Sequence, residues 1–245
     1  MIVAVGFGNT DLPAATVNTP SRQTVGPPVP ETCVAAGAVL LERDGQTVAA
    51  NYGSVPGEIA VCMKSVGVAD RSDYGALELR GDQNLLDRAL TARLGDPPLA
   101  PGTGRRMRSV WYMRLDQRRA LLVGPHPALA AGPPIGQGRD RADLPHKDIG
   151  ATVAILSIIG PRAARLLAAA ELPAELAIGG VRRDPRDAGV IAILRESQRR
   201  FLALVRAPDA DAFWVRLLAA GEPLGAAFVG LDALTLLQAS SVSSG

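Results

Sequence analysis

Residues 66–90 read VGVADRSDYGALELRGDQNLLDRAL, and the order of features in this stretch decides the fold. An apolar run closes on an acid and a hydroxyl at Asp70 and Ser72. Ala76-Leu77-Glu78-Leu79-Arg80 then alternates with the period of a strand, Gly81 marks a turn, and the remainder has the spacing of an amphipathic helix. A looser second copy begins at Asp148, with an acid, an apolar strand over 152–159, the turn Gly160-Pro161 and a helix over 162–170. Each copy passes through a basic hairpin into an apolar strand: Arg118-Arg119-Ala120-Leu121-Leu122-Val123 in the first, Arg199-Arg200-Phe201-Leu202-Ala203-Leu204-Val205 in the second. Each is followed by a helix opened by a proline, Pro127 or Pro208. The period is too long for a solenoid. The expectation is an α+β fold, one compact body of two pseudo-symmetric α/β halves with a crevice where they meet.

Working outward, residues 33–41 are apolar, Glu42-Arg43-Asp44-Gly45 forms a hairpin turn, and 47–52 returns as a strand. Ser54 is placed as the N-cap of a helix running to Ser65, with Glu58 in its first turn beside the positive end of the helix dipole. Ile59, Val61, Cys62 and Val66 give that helix a buried stripe, which makes Cys62 a core residue. Before all this, residues 1–32 carry prolines and Thr-rich turns, including Pro27-Pro28-Val29-Pro30, which suit a surface arm or an edge strand better than a helix or central strand. Gly6-Phe7-Gly8 lacks the pattern and the helix of a dinucleotide loop. The expected organisation is an N-terminal Pro-rich extension over 1–32, a body over 33–239 with halves of about 33–131 and 145–239, and a disordered tail over 240–245. Residues 132–144, rich in Gly, Pro and Arg, read as a mobile connection between the halves.

Composition bounds the function. Hydrophobic residues make up 47% and charged residues 20% of the 245, ordinary for a globular chain with a sizeable core. The formal charge is only +2, and Arg182-Arg183-Asp184-Pro185-Arg186-Asp187 interleaves acids with its bases, which argues against nucleic acid. Lysine occurs only at Lys64 and Lys147, so arginine supplies nearly all the positive charge and favours planar, bidentate anion contacts where it clusters. Cys33 and Cys62 are too few for a disulfide framework or a metal cluster, and His126 and His146 lie in loop-like, Pro-flanked sequence. No metal is expected. Residues 1–7 are too short for a membrane span and lack a basic n-region, so the reading is a cytoplasmic protein without a membrane partner.

The run AGAVLLERDGQTVAANYGSVPGEIAVCMKSVGVADRSDYGALELRG resembles the opening of the aminomethyltransferases of the glycine cleavage system (T-proteins) and of the related folate domains of sarcosine and dimethylglycine oxidases and dehydrogenases. The matching residues are Gly37-Ala38, Tyr52, Glu58, Val66-Gly67-Val68, Asp70, Ser72 and Gly75. The match recurs at Leu99-Ala100-Pro101-Gly102, Leu121-Leu122-Val123, Ile159-Gly160-Pro161-Arg162-Ala163 and Val229-Gly230-Leu231-Asp232-Ala233-Leu234, and so extends over about 33–239. The resemblance implies the T-protein folate-binding fold, with tetrahydrofolate as the cofactor of the family. The family's C-terminal barrel has no counterpart within these residues.

The departures are as informative. The family's Glu-His pair is Glu58-Ile59 here, and the arginine beyond it is Met63. The hairpin that ends in the family's catalytic Asp-Asp is shortened, which puts Arg108 and Ser109 in those places. Leu202 stands for the Glu that grips the pterin, and Leu231, Thr235 and Leu237 stand for two Arg and a Glu of the family's late helix. An arginine cannot act as the acid, and a serine hydroxyl cannot hold a developing ammonium as a carboxylate does. A lost buried carboxylate leaves the pterin donors that it would pair with unpaired, at about 1–3 kcal/mol per group, which argues against tight tetrahydrofolate binding.

The candidate ligand-binding set is Tyr52, Asp70, Ser72, Tyr74, Arg105, Arg106, Arg108, Trp111 and Tyr112, with Asp70 and Ser109 as candidate catalytic residues. Arginines beside Trp111 and Tyr112 suit a small planar anion, the glutamate tail of a folate included. The same residues also suit a basic edge hairpin that protects a sheet. Three functions stay open. One is a binding or structural subunit beside a catalytic partner chain or in a homo-oligomer, similar in economy to the small subunit of heteromeric sarcosine oxidases. Another is a tetrahydrofolate-dependent transferase on amine or one-carbon substrates. The third is an enzyme of new chemistry in the same crevice.

Overall fold

The structure is a computed structural model that describes residues 29–130, 144–184, 187 and 189–242. Residues 1–28 of the arm expected over 1–32, and most of the connection expected over 132–144, lie outside the described residues. The chain opens with α1 (Glu31–Ala35), β1 (Val39–Arg43), β2 (Gln46–Asn51), α2 (Val55–Lys64) and β3 (Val66–Asp70). Then come β4 (Tyr74–Arg80), α3 (Gln83–Leu94), β5 (Thr103–Met107), β6 (Val110–Arg114), β7 (Arg119–Pro125) and α4 (His126–Ala130). The second half runs β8 (His146–Asp148), β9 (Val153–Ile159), α5 (Ala163–Ala169), β10 (Val181–Arg182), β11 (Val190–Ser197), β12 (Arg200–Arg206) and α6 (Ala210–Gly221). The last elements are β13 (Ala226–Phe228) and α7 (Leu231–Val242), the latter reaching into the stretch expected as a tail.

The duplication is visible in the sheets. One is ordered β5-β6-β7-β4-β8 and the other β10-β11-β12-β9-β3, with β13 added in parallel beside β3. Each half therefore builds its sheet from a strand, a helix and an antiparallel three-stranded run, and lends its leading strand to the other half's sheet. Matching hydrogen bonds mark the two exchanges: Arg71 N–H donates to the Ile155 carbonyl, and Ile149 N–H donates to the Ala76 carbonyl. The turns that follow also match, with Gly81 N–H on the Arg118 carbonyl and Gly160 N–H on the Arg199 carbonyl. Gly160 sits at φ +138 against the Ser65 backbone, where any side chain would collide, and this is what the Gly-Pro turn supplies.

Strand alternation sorts the core into layers. Between the sheets lie Trp111, Met113, Leu121 and Val123 from one, against Ile155, Ala192, Leu194, Leu202 and Leu204 from the other. Outward from the second sheet, Leu156, Ile158, Phe201, Ala203 and Val205 pack on α5 and α6 through Leu166, Phe213, Trp214 and Leu217. Outward from the first, Leu79, Ala120, Tyr112 and Leu122 pack on α3 through Leu86 and Leu90. A helix–sheet–sheet–helix sandwich results. Each fully buried Leu or Val contributes about 1.5–3 kcal/mol, which is why these strands read as continuous apolar runs.

The opening segment differs from its reading. Residues 33–41 are not one strand: Pro30 starts the short α1, which buries Cys33, and only Val39 begins β1. The hairpin turn is tight, with Arg43 opposite Gln46 and both Asp44 and Gly45 at positive φ, so the Asp-Gly pair makes a turn that matches strand twist. Ser54 caps α2 as expected, accepting from Gly57 N–H at 3.2 Å.

Candidate functional site

The exchange of β3 into the second sheet brings its last residue under the loop that returns to β4. Asp70 is 3% exposed. Its Oδ2 lies 2.5 Å from Ser72 Oγ and accepts from Ser72 N–H at 3.2 Å, and Ser72 Oγ also reaches the Thr47 carbonyl at 3.0 Å. Burial pushes the Asp70 carboxyl up to about 6. The Ser72 hydrogen bonds and the Arg71 guanidinium oppose the rise, and the Asp73 charge adds to it. Arg71, absent from the sequence-based set, fills the same loop. Its guanidinium takes both Asp73 oxygens at 2.8 Å, donates to Ser157 Oγ at 3.3 Å and stacks 3.5 Å over the Tyr74 ring. Burial opposes its charge, yet Asp73 outweighs burial and holds the group protonated. Tyr74 thereby serves as the floor for an arginine of its own chain.

On the other side of the crossover, Glu58 is 6% exposed and spans two backbone amides, Tyr52 N–H at 2.7 Å and Gly230 N–H at 2.7 Å. It ties the start of α2 to the start of α7, a stronger commitment than the dipole contact read from sequence. Tyr52 packs on Phe228, and Phe228 stacks on Trp214, each pair with centroids 5.1 Å apart. The buried Tyr52 hydroxyl faces the Cys33 thiol. Burial pushes Cys33 up to about 12 and Tyr52 above the ordinary phenol range, so neither supplies a nucleophile at neutral pH. Tyr52, Asp70 and Ser72 thus gather near one crossover, with Cys33, Glu58 and Arg71 as neighbours that the sequence reading did not place in the site. The signal for Arg71 was available, a lone basic residue between two acids in an otherwise apolar exchange strand and loop.

The arginine group does not join them. β5 is the edge strand of its sheet. Arg105 turns back to donate to the carbonyls of Leu94 at 3.2 Å, Gly95 at 3.3 Å and Pro97 at 3.1 Å, while Arg106 donates to the Arg108 carbonyl at 3.0 Å. This is the edge-protecting arrangement. Trp111 and Tyr112 are adjacent on β6 and so face opposite sides. Trp111 Nε1 donates to Glu196 Oε1 at 2.6 Å between the sheets, and Tyr112 Oη accepts from Arg93 Nε at 2.9 Å on the α3 side. A crevice lined jointly by Trp111, Tyr112 and the arginines is therefore corrected by the strand period. Arg108, at φ 54, and Ser109 form the whole turn between β5 and β6. β7 separates Ser109 from β4 and Tyr74, about two strand spacings, roughly 10 Å.

The remaining family-equivalent positions are apolar or outward. Leu202 is fully buried between the sheets, Leu231 is buried, Thr235 Oγ1 donates to the Leu231 carbonyl at 2.8 Å, and Met63 is exposed. Surface depressions lie elsewhere. One of about 790 Å³ is lined by Arg80, Asp82, Asp116, Arg118 and Arg119 at the far end of β4 from Tyr74, where Arg80 and Arg119 both pair with Glu78. Another of about 240 Å³ lies beside α6 at Asp187, Asp209, Phe213 and Arg216.

No protein-family model and no curated protein matches the sequence. Among solved structures, the chain is similar to the glycine cleavage system aminomethyltransferase T from Bartonella henselae, with a TM-score of 0.67 and 23% identity over 83% of this chain. It spans 58% of the length of that protein. A chain of the heterotetrameric sarcosine oxidase from Corynebacterium sp. U-96 matches with a TM-score of 0.47 and 19% identity, over 71% of this chain and 93% of that one. The interlocked sheets, the helices on their outer faces and the crossover at Asp70 are thus the α+β fold seen in aminomethyltransferase T.

Proposed function

We propose that this chain is a divergent aminomethyltransferase-like protein that works as a binding or structural subunit, without aminomethyl-transfer chemistry of its own. The observation that carries the reading is Leu202, which stands at the family's pterin-gripping Glu and packs wholly buried between the sheets with Leu194 and Leu204. A carboxylate cannot be recovered there without burying a charge. The polar groups that remain are committed inward, Glu58 to two amides, Arg71 to Asp73 and Asp70 to Ser72.

A subunit role also draws support from the surface of the first hairpin. Val39, Leu40 and Leu41 are exposed on β1, and Met63 is exposed on α2, which suits burial against a catalytic partner chain or a second copy. No helix among the described residues is long and apolar enough to cross a membrane. We place the protein in the cytoplasm on its sparse cysteines. The competing transferase reading rests on Asp70, whose carboxyl at about 6 lies in the range of a general acid. Its 3% exposure supports a structural role instead. Assay of the isolated chain for tetrahydrofolate-dependent release of ammonia from an aminomethyl donor tests the reading. No turnover above background is expected, and turnover abolished by Asp70→Asn would replace it with the transferase.

A further inference from the structure

The polar knot at Asp70 contains one hydrogen too few. Asp70 Oδ2 accepts from Ser72 N–H, but Ser72 Oγ, with a single hydrogen, makes two further oxygen–oxygen contacts, 2.5 Å to Asp70 Oδ2 and 3.0 Å to the Thr47 carbonyl, and that hydrogen can lie in only one of them. With Asp70 ionised, one of the contacts has no proton. With a proton on Asp70 Oδ2 both are satisfied: the acid donates to Ser72 Oγ, and Ser72 donates to Thr47. Of the charges acting on Asp70, Asp73 disfavours the ionised form more than Arg71 favours it. Arg71 on the same loop is neutralised by Asp73. The β2–α2 connection presents the Tyr52 hydroxyl, α1 presents the Cys33 thiol, and α4 presents His126, whose Nε2 lies 3.3 Å from the Ser72 carbonyl.

We propose that Asp70 carries the proton in this arrangement and that its ionisation takes the Ser72 hydrogen away from Thr47, so that the β1–β2 hairpin is latched more firmly in mild acid than at neutral pH. An ionised carboxylate is the stronger acceptor, so Ser72 turns to it and the Thr47 carbonyl loses its donor. The proton passes to solvent. The burial of Asp70, which pushes its carboxyl up to about 6, sets where the change falls. Thr47 lies on the strand that carries the exposed apolar β1, so the latch acts on the surface assigned above to a partner. The latch itself stands independently of that assignment.

The full-length protein, labelled with ¹³C at aspartate carboxyls, tests this by NMR titration with amide hydrogen exchange on the same sample. The Asp70 resonance, assigned by its loss in Asp70→Asn, is expected to titrate near 6 rather than near the ordinary 3.8. After correction for intrinsic exchange, amides of β2 are expected to lose about threefold to tenfold in protection between about pH 5 and about pH 7.5, the weight of one hydrogen bond. Asp70→Asn should abolish that pH response. Ser72→Ala should leave the hairpin loose at both pH values. An Asp70 midpoint at the ordinary value overturns the proposal, and so does an unchanged pH response in Asp70→Asn. If either variant fails to fold, the wild-type titration and exchange decide alone, with residue-specific assignment from triple-resonance spectra.

Discussion

Asp70 and Asp148 occupy the same place in the two halves yet live in opposite environments. Each ends the strand lent to the other sheet, and each accepts from the backbone N–H two residues on, Ser72 at 3.2 Å and Gly150 at 2.9 Å. Asp70 is buried and its carboxyl raised, whereas Asp148 lies exposed on the short β8. The backbone device is present in both copies, and burial, with the Asp73 charge adding to it, raises the carboxyl of Asp70.

Asp70→Asn is therefore expected to change how stability depends on pH. The folded-state value of Asp70 lies above its ordinary value, so the native state holds the proton more tightly than the unfolded chain. The associated stability is present below about 4 and lost as pH rises through about 6. Raising 3.8 to about 6 corresponds to roughly 3 kcal/mol, an upper bound on the gain of Asp70→Asn over wild type at neutral pH. Urea denaturation of the wild type and Asp70→Asn at several pH values measures it. A wild-type stability that rises from mild acid to neutral, with Asp70→Asn showing the same rise, would refute the assignment.

Glu58→Ala should be among the most damaging polar substitutions. Both carboxylate oxygens serve buried or half-buried amides, Tyr52 N–H and Gly230 N–H, and each amide left without a partner costs about 1–3 kcal/mol. Gln at this position keeps one carbonyl but turns an amino group toward an N–H, so Glu58→Gln should lose most of the same stability. Thermal melts distinguish this from a surface acid such as Glu42, whose removal should shift the midpoint little.

The exchanged strands predict that the halves unfold together. Trp111 reports from between the sheets and Trp214, on α6, from the outer face of the second sheet. Fluorescence of Trp111→Phe and Trp214→Phe variants, each corrected to its own stability, should follow circular dichroism with a single midpoint. A Trp214 transition well separated from that of Trp111 would mean that the halves are independent units.

Leu202→Glu, which restores the family's residue type, should unfold the protein rather than create a binding site. The side chain points between two sheets, where an unpaired carboxylate costs several kcal/mol or forces protonation. A folded Leu202→Glu variant with gained affinity for tetrahydrofolate would show that this position faces a ligand after all.

Much of this architecture was written in local patterns. The repeated order of acid, apolar strand, glycine turn, helix and basic hairpin gave two equivalent halves, and Ser54 and the Asp44-Gly45 turn announced their elements through backbone chemistry. The exchange of β3 and β8 between sheets was not legible, because strand partners are set by packing over long sequence separations, β3 is apolar enough to fit either sheet, and β8 is a short polar strand, His146-Lys147-Asp148, with no strand pattern of its own. The site was read less well for a related reason. Arg105, Arg106 and Arg108 looked alike in sequence, but the partner carbonyls of Arg105 at Leu94, Gly95 and Pro97 come from the end of α3 and the loop beyond it, whose path the sequence does not show. Trp111 and Tyr112 could have been separated from the start, since neighbours on a strand face opposite ways.

Calorimetric titration of the purified chain with tetrahydrofolate tests the central claim most directly. The reading predicts no submicromolar binding, because the resemblance puts Ser109, in a two-residue turn, at the family's acid, buried Leu202 at its Glu, and Leu231 and Thr235 at its late arginines. At about 1.5–3 kcal/mol for each charge-assisted hydrogen bond, two such losses already weaken binding by roughly a hundredfold or more. Submicromolar affinity with one-to-one stoichiometry would contradict the account and establish a working folate site in this chain.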